Sequence, residues 1–310
     1  MPKVKLPSEW VLLFVAFIWG INAPIMKVGL MYIPPLSYSM ARMVIAVVFS
    51  WLVFIRSHNY KPMAGKDFLL LLNISFFGYF LFQLCYAIGI KWTTAGNASL
   101  ILSMLPVSVV VINRIFQIDK ITLEMLLSIA LTLSGVVIIV IGQGKSISYS
   151  QGHLIGGMIL FIAQFCYGYF TVLSKKLLMK YSFYQVITYA LSISTLFFII
   201  FSFGEIRMVQ WSVIPLQGWF SILFSGLFSI AIGNFLWVWG IGHIGSTRTS
   251  LYNNLSPVFA VIAGCIFLHE SFGIMQIMGA IIIFFGISLT RRKNKQFNIP
   301  GTQKNPCEDS

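Results

Sequence analysis

Acidic residues are scarce. Eight Asp and Glu occur in 310 residues, and charged residues of both signs make up 9% of the chain. A soluble domain carries about 25%. Hydrophobic residues reach 58%, more than a polar exterior could cover. Soluble globular and disordered classes are excluded. Cysteine is also rare: Cys85, Cys166 and Cys265 lie in apolar runs and Cys307 in a polar tail. No CxxC or metal spacing occurs, which excludes a disulfide framework and a zinc site and leaves core thiols. No Gly-rich nucleotide loop is present, so direct ATP drive has no support.

The acids are Glu9, Asp67, Asp119, Glu124, Glu205, Glu270, Glu308 and Asp309, and the histidines are His58, His153, His243 and His269. All fall at the ends of apolar runs, in loops or in the tail. No carboxylate sits at mid-run to relay a proton or hold sodium. No constellation for an intramembrane enzyme is visible, and no filter loop or ring of like residues marks a channel. No metal or cofactor is implied.

What is present is a series of long, continuous apolar runs. A membrane-spanning helix needs about 20 such residues. Spans are predicted near 10–31, 35–55, 67–90, 94–113, 121–141, 154–174, 183–203, 216–241, 246–267 and 272–290. The fold class is therefore an all-α polytopic membrane protein with ten transmembrane helices. The net charge of +13 resides in short loops and tails, where it sets topology and does not suggest nucleic acid. With the N-terminus inside, sixteen Lys and Arg face inward. Lys27, Lys91, Lys145 and Arg207 lie at the outer ends, and Arg42 lies within the second span. That asymmetry predicts an inner-membrane protein with both termini in the cytoplasm, including a polar tail over 291–310.

The chain repeats itself. An offset of 151 pairs Gly89 with Gly240, Ser99-Leu100 with Ser250-Leu251, Pro106-Val107 with Pro257-Val258, and Gly135 with Gly286. An offset of 148 pairs Phe17 with Phe165, Gly20 with Gly168 and Lys27 with Lys175. Matched Gly, Pro, Ser and Lys are not apolar filler. Each unit, 10–142 and 154–290, holds five spans. An odd number forces the second unit to enter the membrane upside down. Inverted repeats are the architecture of secondary transporters, with the substrate site near the midplane between the halves.

At this point the residues resemble a known family. Trp19-Gly20-Ile21-Asn22 through Lys27, then Ser256-Pro257, Phe267-Leu268-His269-Glu270, Gln276, Gly279-Ala280 and Gly286, are similar to the EamA type of the drug/metabolite transporter superfamily. The first unit departs from the pattern: Asp119-Lys120 stands where Glu270-Ser271 stands in the second, and Ser128 replaces Gly279. The resemblance implies ten helices, an inverted repeat and metabolite transport, often export. It does not give the substrate, since the superfamily spans amino acids, sugars, nucleotide derivatives and drugs.

Polar residues within spans mark the candidate pathway. Ala95, Ser99 and Ser103 recur every four residues, as do Ser246, Ser250 and Asn254. Ala95 and Ser246 read as close packing, Ser103 and Asn254 as pathway. Pro106, Pro257 and Pro24 free the carbonyls of Leu102, Asn253 and Gly20. A substrate group could take them, or a neighbouring Ser or water could. Tyr79, Gln83 and Tyr86 form one helical face, matched by Ile230, Asn234 and Trp237. Asn22 and Gln164 add amides, and Trp19 pairs with Tyr167 by the repeat. The aromatics serve equally as cavity walls or as an interfacial belt. Arg42 has an apolar repeat counterpart; it could bind a substrate carboxylate, snorkel outward or pair with carbonyls. Lys27 and Lys175 end helices at opposite faces, as gate latches or as helix anchors.

These residues point to a secondary carrier for a small polar, amino-acid-like metabolite. Its partners are that solute and the lipid bilayer, and a homodimer is compatible with the sequence. The alternative is multidrug or nucleotide-derivative transport on the same fold.

Overall fold

The computed structural model describes residues 8–93, 95–142, 151–260, 262 and 274–289. The tail 291–310, the 267–270 motif and Cys265 lie outside the described residues. Ten helical segments follow in order. They are α1 (Ser8–Tyr32), α2 (Pro35–Ser57), α3 (Gly65–Trp92), α4 (Ala95–Leu102 and Leu105–Phe116) and α5 (Leu123–Gly142). The second unit supplies α6 (Gln151–Leu178), α7 (Phe183–Ile206), α8 (Leu216–Ile244), α9 (Ser246–Leu251, then Tyr252–Leu255) and α10 (Ile274–Leu289). Seven of these are long and apolar enough to cross a membrane. Their starts and ends lie within about four residues of the predicted spans, the usual error of such boundaries. The fold is an all-α polytopic membrane protein. Phe14, Leu52, Ile115, Leu127, Ile200 and Ile281 face outward, as a bilayer solvent favours.

The inverted repeat is visible in the packing. Gly89 of α3 rests on Leu160 of α6, and Gly240 of α8 rests on Leu12 of α1. The third helix of each unit thus packs against the first helix of the other. The last helices also pair. Ser128 Oγ of α5 donates to the Gly286 carbonyl of α10, while Gly135 and Gly279 meet backbone to backbone. The offset of 151 exchanges these two contacts.

Two kinds of irregularity also come in matched places. A π-helical stretch runs over Ile74–Phe80 in α3 and over Ser225–Ile232 in α8. π turns inside helices concentrate at functional sites. Helix α4 breaks at Ser103-Met104, just before Pro106, and α9 tightens to a 3-10 turn at Tyr252–Leu255, just before Pro257. A proline inside a helix removes a backbone hydrogen bond and crowds the preceding turn.

One end of the bundle carries most of the described cations, and is called here the basic end. There Lys180 pairs with Asp67 at 2.8 Å, and Gln185 bridges both backbone atoms of Lys61. At the opposite end Glu205 accepts from the Ser37 backbone N–H at 2.7 Å and from Ser37 Oγ at 2.9 Å. An anion there satisfies free N–H groups at the α2 N-terminus.

A Cβ at Gly279 would stand 2.5 Å from the Gly135 carbonyl oxygen, and one at Gly135 would stand 2.7 Å from that of Gly279. Backbone cannot yield there as a side-chain tip can. Gly135→Leu or Gly279→Leu is expected to cost about 1–3 kcal/mol, read as a lower melting temperature in detergent. Gly204, whose Cβ would meet nothing within 4 Å, serves as the control and should tolerate Leu.

Candidate functional site

The irregular stretches of α4, α8 and α9 border one cavity. It is lined by both units: Trp19, Asn22, Arg42, Gln83, Tyr86 and Ser103 from the first, Gln164, Tyr167, Asn234, Asn253 and Ser256 from the second. Its volume is about 90 Å³. That is room for more than one water, and so for a small polar solute.

Helix α1 reaches the site because Gly20 lets it touch α9. A Cβ at Gly20 would stand 2.5 Å from the Ser256 carbonyl oxygen. The contact gives a physical reason for the Trp-Gly pair. Trp19 Nε1 donates to the Ser229 carbonyl at 3.2 Å, and its ring lies 4.8 Å from Trp237 and 5.8 Å from Tyr167. Tyr167 stacks on Phe82 at 4.3 Å, and Phe82 on Tyr86 at 5.6 Å. One side of the cavity is therefore a continuous aromatic wall.

The polar side is built around Arg42. Its exposure is 1%, so it does not snorkel. Nη2 donates to Gln83 Oε1 at 2.7 Å, and Nη1 to Ser225 Oγ at 3.2 Å and to Met26 Sδ at 3.3 Å. Nε has no partner, and neither do the acceptors Asn22 Oδ1 and Ser256 Oγ.

Other amides serve the backbone. Asn234 Nδ2 donates to the carbonyls of Ile230, at 2.8 Å, and Ser229, and Asn234 Oδ1 accepts from Tyr167 at 3.0 Å. It thereby holds the π-helical stretch of α8. The proline-freed carbonyl of Leu102 accepts from Asn253 Nδ2 at 2.8 Å. Leu102 and Asn253 are repeat mates, so each unit's break meets the other's. Ser103 Oγ turns back to the Leu100 carbonyl.

Three residues expected at the cavity stand elsewhere. Asn254 is fully buried and donates to Thr132 of α5 at 2.9 Å; its neighbour Asn253 faces the cavity instead. Helical periodicity favours 254, but the 3-10 turn rotates the chain further per residue and exposes 253. Tyr79 falls inside the π stretch of α3 and packs on Phe170, outside the cavity lining. Trp237 stands behind Trp19, its Nε1 donating to Thr171. Pro257 lines the cavity; Pro106 and Pro24 flank it within α4 and α1.

Lys27 Nζ donates to the Thr93 carbonyl at 3.1 Å. Lys175 is paired with Asp119, which also accepts from Ser246 N–H and Oγ. Asn113 adds bonds to Ser246 and Thr247. The bonds of Asp119 and Asn113 tie α4 and the segment after it to α6 and α9. Sequence reading found Lys175 but not its partner; the signal was Asp119 itself, the repeat mate of Glu270.

Burial pushes the Asp119 carboxyl up, but hydrogen bonds from Lys175 and Ser246 outweigh it and hold the group below the ordinary carboxylate range. A depressed carboxyl contributes stability above the ordinary value and loses it as pH falls through the depressed one. A double-mutant cycle on Asp119→Asn and Lys175→Met should return a coupling of about 1–3 kcal/mol. That coupling should stay flat between about pH 5 and 8 and vanish only in stronger acid, as read by melting temperature.

Comparison with known proteins agrees with this architecture. The model of the EamA-like transporter family matches residues 6–141 and 154–292, one copy per repeat. The uncharacterized transporter YetK of Bacillus subtilis (strain 168) is 28% identical over 261 residues, covering 84% of this chain and 79% of its own. An uncharacterized transporter of Archaeoglobus fulgidus is 25% identical over 283 residues, covering 90% and 95%. A crystal structure shares the fold at a TM-score of 0.74 and 11% identity, over 91% of this chain and 96% of that one. Two family matches that fall on the two repeats, on helices that enclose a shared cavity, place this chain in the EamA-like transporter family.

Proposed function

We propose that the protein is a secondary transporter that moves a small polar, amino-acid-like metabolite across the cytoplasmic membrane. Transport runs outward or by exchange, through alternating access, with both termini cytoplasmic. The observation that carries this reading is the cavity itself: small, internal, lined by both units, and placed where α4 and α9 break. Discontinuous helices at a repeat interface are the usual substrate site of secondary carriers. The hydrogen bonds and ion pair that join α4 to α6 and α9 at the basic end support a role as one of the two gates. Alternating access requires that such a gate open while its counterpart closes. The amides, hydroxyls and rings that line the cavity support a small polar solute.

In proteoliposomes, flux should saturate and accelerate when solute is present on the far side. Linear flux without trans-stimulation would mean a channel. Gln83→Leu removes the acceptor that orients Arg42. It should raise KM for the transported solute about two- to tenfold, the loss of one hydrogen bond, with little change in abundance. Orientation has a separate check. An impermeant thiol reagent on intact cells should leave Cys307 unlabelled until the membrane is permeabilised.

A further inference from the structure

We infer that the solute is a small monocarboxylate and that Arg42 is the residue that binds its carboxylate. The inference rests on the transport reading above and narrows it to a chemical class.

The charge of Arg42 is the anomaly. Guanidinium stays protonated in proteins, and a buried charge is expensive unless it is paired. Among the described residues the side-chain ion pairs are Lys175–Asp119 and Lys180–Asp67, both at the basic end. Arg42 is bonded only to neutral groups, and its Nε–H to none. A purely structural role would be met at lower cost by a neutral side chain. The repeat does not require the charge either, since the equivalent positions in α7 are apolar. Arg42 thus breaks the symmetry of an otherwise two-fold cavity by one positive charge.

The geometry selects the ligand. Gln83 and Ser225 take one N–H from each terminal nitrogen and fix the guanidinium plane. Nε–H is left without a partner, on a side chain that lines the cavity. A planar guanidinium is the side chain best matched to the two oxygens of a carboxylate. One carboxylate neutralises one guanidinium, whereas a phosphate dianion would leave a buried negative charge. Asn22 Oδ1 and Ser256 Oγ, on residues that line the same cavity, are without partners as well. The aromatic wall of Trp19, Tyr167 and Phe82 faces the solute's apolar body.

The test uses the full chain in proteoliposomes preloaded with an unlabelled probe, and follows uptake of the same probe in labelled form. The probes are valine, its 2-hydroxy-acid counterpart, valinamide, isobutylamine and inorganic phosphate. Valine or the hydroxy acid should show counterflow, and the amide and the amine should be slower by roughly tenfold or more, as expected when a built polar site meets a solute lacking its partner. Arg42→Gln should abolish that preference, and Arg42→Lys should keep part of it. If the variants fail to fold, the wild-type panel alone decides. Equal rates for acid and amide, or counterflow of amine or phosphate alone, overturn the carboxylate assignment and leave the carrier reading standing. No counterflow with any probe overturns both.

Discussion

A carbonyl set free inside a bilayer has no water to turn to, and this constraint organises the whole centre of the molecule. Each unexposed backbone group must find a donor or cost several kcal/mol. The chain departs from regular helix in α3, α4, α8 and α9. Several of these departures are bridged by a specific side chain. Asn253 reaches across the repeat axis to Leu102, Asn234 holds Ile230 and Ser229, and Ser194 donates to Ser75 at 2.9 Å. Irregular backbone at membrane depth is tolerated only where protein or a cavity receives it. The cavity is therefore a consequence of where the helices are allowed to break, and the amides near it are partly structural.

That division of labour separates what was legible in the sequence from what was not. Long apolar runs marked the seven membrane-length helices to within a few residues, because hydropathy reports the solvent directly. The repeat was legible because Gly and Pro recur at fixed offsets, and Gly135 and Gly279 turn out to be contact points between α5 and α10. Asn22, Arg42, Gln83, Tyr86, Ser103, Gln164 and Asn234 were singled out as polar or amphipathic groups within apolar runs, and all line the cavity. Two of the errors were rotational. Tyr79 and Asn254 were placed by a period of 3.6 residues, but π and 3-10 stretches change the turn per residue and shift the face, whereas Trp237, placed by the repeat, lies in regular helix and stands behind Trp19. No residue pattern in Ile74–Phe80 or Ser225–Ile232 announces a π stretch. Only their matched positions in the two units, once seen, mark them as built features.

The structure also settles what Arg42 is not. A snorkelling arginine would carry its head to the surface, yet this one is 1% exposed and held by three side chains from α1, α3 and α8. Those helices come from both units, so the guanidinium is fixed by the assembled bundle and not by its own helix.

Symmetry and charge then act at different levels. The two-fold repeat supplies equivalent breaks, equivalent glycine contacts and a lysine at each face, which is what an alternating mechanism requires: two closures of similar energy. Such an arrangement is indifferent to what it carries. Selection needs an element that symmetry does not duplicate, fixed in the cavity in either state. Arg42 meets that description, because its apolar repeat counterpart leaves a single cation against a wall of rings. The energetic strain of an unpaired buried charge would then be relieved only while an anion is bound.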